Sequence, residues 1–115
     1  IKPMSEEAKK EYLRPFTQQG EDRRPTLTFP RNIPFNKEPF DTYNEIKLNA
    51  EFHNTSNIPK LFINADPGFL LVGTQRDEVR SWRNLKEVEV KGNHFIQEDS
   101  PEEITVCIKD FILEL

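Results

Sequence analysis

The chain has 115 residues, enough for one small domain and too few for two ordinary ones. Its 16 basic and 20 acidic side chains are interspersed and sum to −4, which argues against a nucleic-acid-binding face. The longest apolar runs, "KLFIN" and "GFLLVG", are too short to cross a bilayer, and the pattern of a secretory leader is absent from the sequence.

In chain order, the first forty residues hold most of the prolines: Pro3, Pro15, Pro25, Pro30, Pro34 and Pro39. "SEEAKKEYL" reads as a short helix, with Ser5 as N-cap, Glu6 and Glu7 in the first turn, and Pro15 as the stop. Between Pro15 and Pro39 prolines recur too often for long regular structure. "TLTFPRNIPF" is apolar but broken by Pro30 and Pro34, so it is expected to wrap over a surface instead of joining a sheet. From Asp41 the pattern becomes regular, and Tyr43, Ile46, Lys47, Ala50 and His53 fall at helical spacing. Lys60 to Asn64 then reads as a short buried strand, ended by a turn containing Pro67 and Gly68.

"TQRDEVRSW" predicts a helix that includes Trp82, with Thr74 as N-cap. "KEVEVKG" alternates Val88 and Val90 with charged residues, as in a strand with one exposed face. The last helix starts on a capping box of Ser100 and Glu103 with Pro101 at its first position. Ile104, Ile108, Phe111, Ile112 and Leu115 form its apolar stripe, with Cys107 at the margin. A strand–helix–strand unit of this kind is normally parallel, and parallel sheets need helices on both faces and more than two strands. The expected architecture is therefore the terminal part of a larger α/β sheet. The isoleucine at position 1 and the first methionine at Met4 suggest a processed chain or a piece of a longer one.

Ligands of open α/β sheets collect at the carboxyl ends of the strands. Two segments fall there: "ADPGFL", with Asp66, Phe69 and Leu70, and "GNHF", with His94 and Phe95. His94 is either a general base, the role for which histidine is the side chain most often used, or a structural histidine bonded to its backbone surroundings. His53, near a helix end, has no evident partner and is read as structural. A nucleophile in an activating context is missing: there is no G-x-S-x-G elbow, and Cys107 reads as packing. Two histidines and one cysteine offer no zinc cluster, so neither a metal nor a cofactor is expected. The acidic "QEDSPEE" is read as a helix N-terminus. The lone cysteine rules out an internal disulfide and fits a reducing, cytoplasmic setting; "NTS" at Asn54 is then a chance glycosylation match.

"RRPTLTFPRNIP", "IPKLFINADPG" and "HFIQEDSPEEI" resemble, in order and spacing, the C-terminal part of haloalkane dehalogenases and of the Renilla-type coelenterazine luciferase. The resemblance implies the last two parallel strands of an α/β-hydrolase fold with their flanking helices (residues 36–115), preceded by the tail of the helical cap (residues 1–35). It implies that His94 is the catalytic histidine, activating water to hydrolyse an alkyl ester of an aspartate outside this chain. Phe29, Pro30 and Ile33 match cap positions that line the pocket, and Phe69, Leu70 and Phe95 match its walls on the core side. A small apolar halogenated substrate and water are the implied partners, without membrane or nucleic acid, and the missing N-terminal part of the fold is a further one.

Two features depart from the family pattern. Trp82 is not at the position of the family's halide-binding tryptophan, and Phe29 stands where a tryptophan is common. The triad acid of this subfamily lies upstream, and Asp66 matches the position of a related subfamily's acid only with an offset register. "DPGF" resembles the luciferase loop, which keeps coelenterazine oxygenation as an alternative. The other alternative is a non-catalytic remnant or interaction module that pairs its open strand edge with a partner.

Overall fold

The structure, a computed structural model, describes residues 3–115. The first two residues, where the expected cap segment begins, lie outside the described residues. The chain divides into two compact units at the junction of Phe52 and His53.

In the unit Met4–Phe52, helix α1 spans Glu6–Leu13. Ser5 caps it as expected, its Oγ accepting from the Ala8 amide at 3.1 Å. Pro15 lies in the 3₁₀ turn Arg14–Phe16 that follows. The proline-rich stretch departs from expectation, because Arg24–Arg31 forms helix α2. Pro25 sits in its first turn, where no backbone donor is needed, and Pro30 in its last, at the loss of one bond. Side chains add bonds around it: Thr26 Oγ1 donates to the Arg23 carbonyl at 2.6 Å, Thr28 Oγ1 to Arg24 at 3.0 Å, and Asn32 Nδ2 to Thr28 at 2.9 Å. Helix α3, Phe40–Thr55, begins here and runs into the second unit. Of its expected stripe, Tyr43, Ala50 and His53 are partly covered, whereas Ile46 is exposed.

The unit His53–Leu115 contains a two-stranded parallel sheet of β1 (Lys60–Pro67) and β2 (Leu85–Gly92). The register runs from Lys60 opposite Leu85 to Pro67 opposite Gly92. Strand β1 is thus three residues longer than predicted, because β2 offers backbone partners as far as Gly92. Helix α4 (Thr74–Arg80) connects the strands, and α5 (Ile96–Asp99) and α6 (Pro101–Leu113) follow β2. Arg80 of α4 pairs with Glu87 through two bonds of 2.8 Å. Lys86 reaches Glu114, just past α6. Since adjacent strand residues point to opposite faces, α4 and α6 cover opposite faces of the sheet. Among the described residues the buried apolar core is Phe62, Val79 and Val90.

Several local expectations need correcting. The N-cap of α4 is Gly73, at φ 55°, with the Asp77 amide donating to its carbonyl at 3.0 Å; the Thr74 hydroxyl bonds Gln75 instead. Trp82 lies beyond α4, where its ring stacks on His53 with centroids 4.2 Å apart, so His53 does have a partner. Asn54 is inside α3, its amide oxygen 3.4 Å from Ser81 Oγ. Ser100 forms no capping box: it is buried, and its hydroxyl donates to the Lys91 carbonyl at 2.7 Å. On α6 the partly covered line is Ile104, Cys107 and Phe111, while Ile108, Ile112 and Leu115 are exposed.

Candidate active site

Parallel strands that end together place the turns after them side by side. The turn after β1 and the turn after β2 are joined directly, the Gly68 amide donating to the Gly92 carbonyl at 3.0 Å. Beside this bond Lys91 Nζ donates to Asp66 Oδ2 at 3.0 Å, which raises the Lys91 pKa above its ordinary range, first through the bond and then through the carboxylate charge. Gly68 cannot be replaced without cost. Its φ is +76°, and a Cβ there would lie 2.9 Å from both the Ala65 carbonyl oxygen and Arg76 Nη2.

His94 follows this junction by two residues and is exposed. Its ring meets two phenylalanines edge-on: Phe95 at 4.6 Å and 64°, and Phe69 of the other turn at 5.6 Å and 62°. A cavity of about 230 Å³ opens beside it, lined by Gly68, Phe69, Leu70 and Leu71 from one turn, Asn93, His94 and Ile96 from the other, and Phe62, Ile63 and Ala65 of β1. The structure thus gathers four of the seven sequence-selected residues (His94, Phe69, Leu70 and Phe95) at one end of the sheet. Phe95 joins through its contact with His94 and does not line the cavity. Phe29 and Pro30 lie on α2 and Ile33 just after it, in the other unit, all three exposed. A larger groove of about 460 Å³ in that unit runs along α1 and is bordered by Glu6, Lys9, Lys10, Leu13 and Arg14, without any candidate catalytic group.

The backbone around His94 is held by residues that sequence reasoning passed over. Asp99 Oδ2 accepts the Asn93 amide at 3.0 Å, and the buried Ser100 hydroxyl holds the Lys91 carbonyl. On the other turn, Arg76 donates to the carbonyls of Ala65, Pro67 and Leu71. Asp99 and Ser100 are hidden inside an acidic run that a helix start already explains. Arg76 did leave a trace: a cation in the first turn of a helix opposes the macrodipole, which implies another partner.

The polar face of the sheet carries Asn64, Asp66, Glu87, Glu89 and Lys91. The bond from Arg80 holds the Glu87 carboxyl below its usual range, and the charges of Arg80 and Arg76 add to this. Asn64, 1% exposed, lies near enough to Glu87 to contribute, yet its amide atoms meet hydrogen-bond geometry with no described residue. Among the described residues no group of three or more His, Cys, Asp or Glu could hold a metal ion, and no helix is long and apolar enough to cross a membrane.

No family model matches the chain. It is 48% identical over its whole length to a haloalkane dehalogenase of Mycolicibacterium smegmatis, of which it covers 37%. It is 41% identical to the coelenterazine h 2-monooxygenase of Renilla reniformis, over 88% of this chain and 33% of that protein. Among solved structures, an ancestral haloalkane dehalogenase superposes on 99% of the chain with a TM-score of 0.88 and 34% identity, and the chain covers 40% of it. The chain therefore spans less than two-fifths of the length of these two relatives.

Proposed function

Because the chain is a C-terminal portion of the haloalkane dehalogenase and Renilla-type luciferase family, with its α/β-hydrolase fold, we propose that it contributes the water-activating base of a carbon–halogen hydrolase. The observation that carries the proposal is His94 on the turn after β2, edge-on to Phe69 of the turn after β1 and beside an apolar cavity. In this reading a carboxylate supplied from outside these 115 residues attacks the halogen-bearing carbon. The carbon–oxygen bond forms as the carbon–halogen bond breaks, and halide leaves. His94 then takes a proton from water as the water adds to the ester carbonyl. Collapse of the adduct releases the alcohol, restores the carboxylate and returns the proton to solvent. Phe69 and Leu70 form the core-side wall, in a division of the chain into the tail of the cap (residues 1–35) and the core (residues 36–115). An apolar wall suits an uncharged substrate and leaves the attacking carboxylate poorly solvated.

The 115 residues alone are proposed to be inactive, because nucleophile and triad acid come from the part of the fold that precedes them. The buried Trp82 indole N–H, without a hydrogen-bond partner among the described residues, supports a neighbour that completes the polar contacts.

The test uses the full-length protein that carries this sequence, given 1,2-dibromoethane. The wild type is expected to release bromide and protons continuously. His94→Phe should release bromide once per site and then stall, with steady turnover reduced roughly 10²–10⁴-fold and an alkyl ester visible by mass spectrometry. Undiminished turnover in that variant would remove His94 from the role. The "DPGF" turn, with Phe69 against His94, and the 41% identity to the Renilla enzyme favour a second reading, coelenterazine oxygenation. Light emission on adding coelenterazine in air, without halide release from dibromoethane, would select it.

A further inference from the structure

Helix α4 begins with a residue that its own electrostatics disfavours. Arg76 is in the first turn, where the free backbone N–H groups make a cation unwelcome. Its guanidinium turns back from the helix and gathers carbonyls on either side of the turn after β1. Nη2 donates to Ala65 at 2.9 Å and to Pro67 at 3.2 Å, and Nε donates to Leu71 at 3.1 Å. The first two belong to the end of the strand and the third lies past Phe69 and Leu70, so one rigid fork ties both ends of the turn together. Gly68 is shaped for this contact, because any Cβ there would sit 2.9 Å from Nη2.

We propose that Arg76 is a positioning residue for the site: it sets the height of Phe69 and Leu70 above the end of the sheet, and hence the size of the apolar group that fits beside His94. The inference rests on the reading of this cavity as a substrate pocket. Three links connect the guanidinium to the site: its carbonyl bonds, the Gly68 amide bonded to Gly92, and the Phe69 ring against His94. Lysine cannot replace it, since one ammonium lacks the planar fork that spans both ends of the turn.

The experiment compares Arg76→Met and Arg76→Lys with the wild type in the full-length protein, using 1,2-dibromoethane and 1-bromobutane as probes. It also follows the nuclear Overhauser contact between the Phe69 and His94 rings, with amide-exchange protection of Ile63 and Val90 as the folding control. Both variants are expected to keep that protection, weaken the ring contact, and shift the ratio of kcat/KM between the two probes roughly ten-fold, mostly through KM. A purely stabilising arginine would lower protection and leave the ratio and the ring contact of the folded molecules unchanged. Wild-type ring contact and selectivity in Arg76→Met overturns the proposal. If Arg76→Met does not fold, the same result in Arg76→Lys overturns it. If the wild type turns over neither probe, the hydrolase reading fails, and the ring contact in the variants still decides whether Arg76 places Phe69.

Discussion

At the scale of single residues, Ser100 and Glu87 show how identity and environment divide the work. "SPEE" has the spacing of a capping box, yet the Ser100 hydroxyl is spent on the Lys91 carbonyl. The pattern was readable in the sequence and its use was not, because burial against a strand is a tertiary event that no local spacing encodes. Ser100→Ala should therefore lower stability by about 1–2 kcal/mol, measured by urea unfolding of the full-length protein, since it orphans a part-buried acceptor. Loss of an exposed cap at the same place would be insensitive to the state of the turn; here the Asn93 amide should also exchange faster. Glu87 gives a pH signature. Its pKa is lowered in the folded state by Arg80, so its contribution is present above the ordinary glutamate value of about 4.3 and is lost as pH falls through the folded value. Glu87→Gln is thus expected to shift the unfolding midpoint slightly at pH 7 and not at pH 2. Molar salt should erase most of the difference, because the pair is largely exposed.

At the scale of elements, both strands, the long helix α3 and the last helix were legible, because hydrophobic period and flanking turn residues agree there. Two kinds of element were missed. Helix α2 was hidden by its prolines, which the structure tolerates because each stands in a terminal turn of an eight-residue helix. Helix α5 is a single four-residue turn, too short for any period to register. The candidate site was legible as a pair of turns at the carboxyl ends of two strands, which offered Asp66, Phe69, Leu70, His94 and Phe95. Position alone left His94 open between base and structural residue, and the family resemblance supplied its proposed role. What could not be read was what the clamps hold: Arg76 left only its charge in the first turn of a helix and Asp99 left nothing, because the backbone carbonyls and amides they bond leave no mark on sequence.

At the scale of the whole molecule, the numbers favour a portion that depends on more chain. The sheet has two strands, the described apolar core has three side chains, and Ile108, Ile112, Leu113 and Leu115 at the end of α6 are exposed. Two strands do not form a self-sufficient sheet, and an open strand edge invites pairing with other chains. The isolated 115 residues are expected to bind a hydrophobic dye such as ANS and to unfold without a sharp transition, whereas the full-length protein should do neither. A dispersed, monomeric NMR spectrum of the isolated chain would contradict this.

The register of the two strands has a kinetic consequence. Every residue of β1 faces one 25 positions later, since Leu85 stands opposite Lys60 and Gly92 opposite Pro67 (85 − 60 = 92 − 67 = 25). The first rung of the ladder must therefore close a 25-residue loop, at an entropic cost of roughly 3 kcal/mol before any later rung repays it. No hairpin can nucleate this pair from its turn outward. Helix α4 shortens the effective loop by forming first, so the rate at which β1 and β2 find each other should follow the helicity of residues 74–80 more closely than the β propensity of either strand.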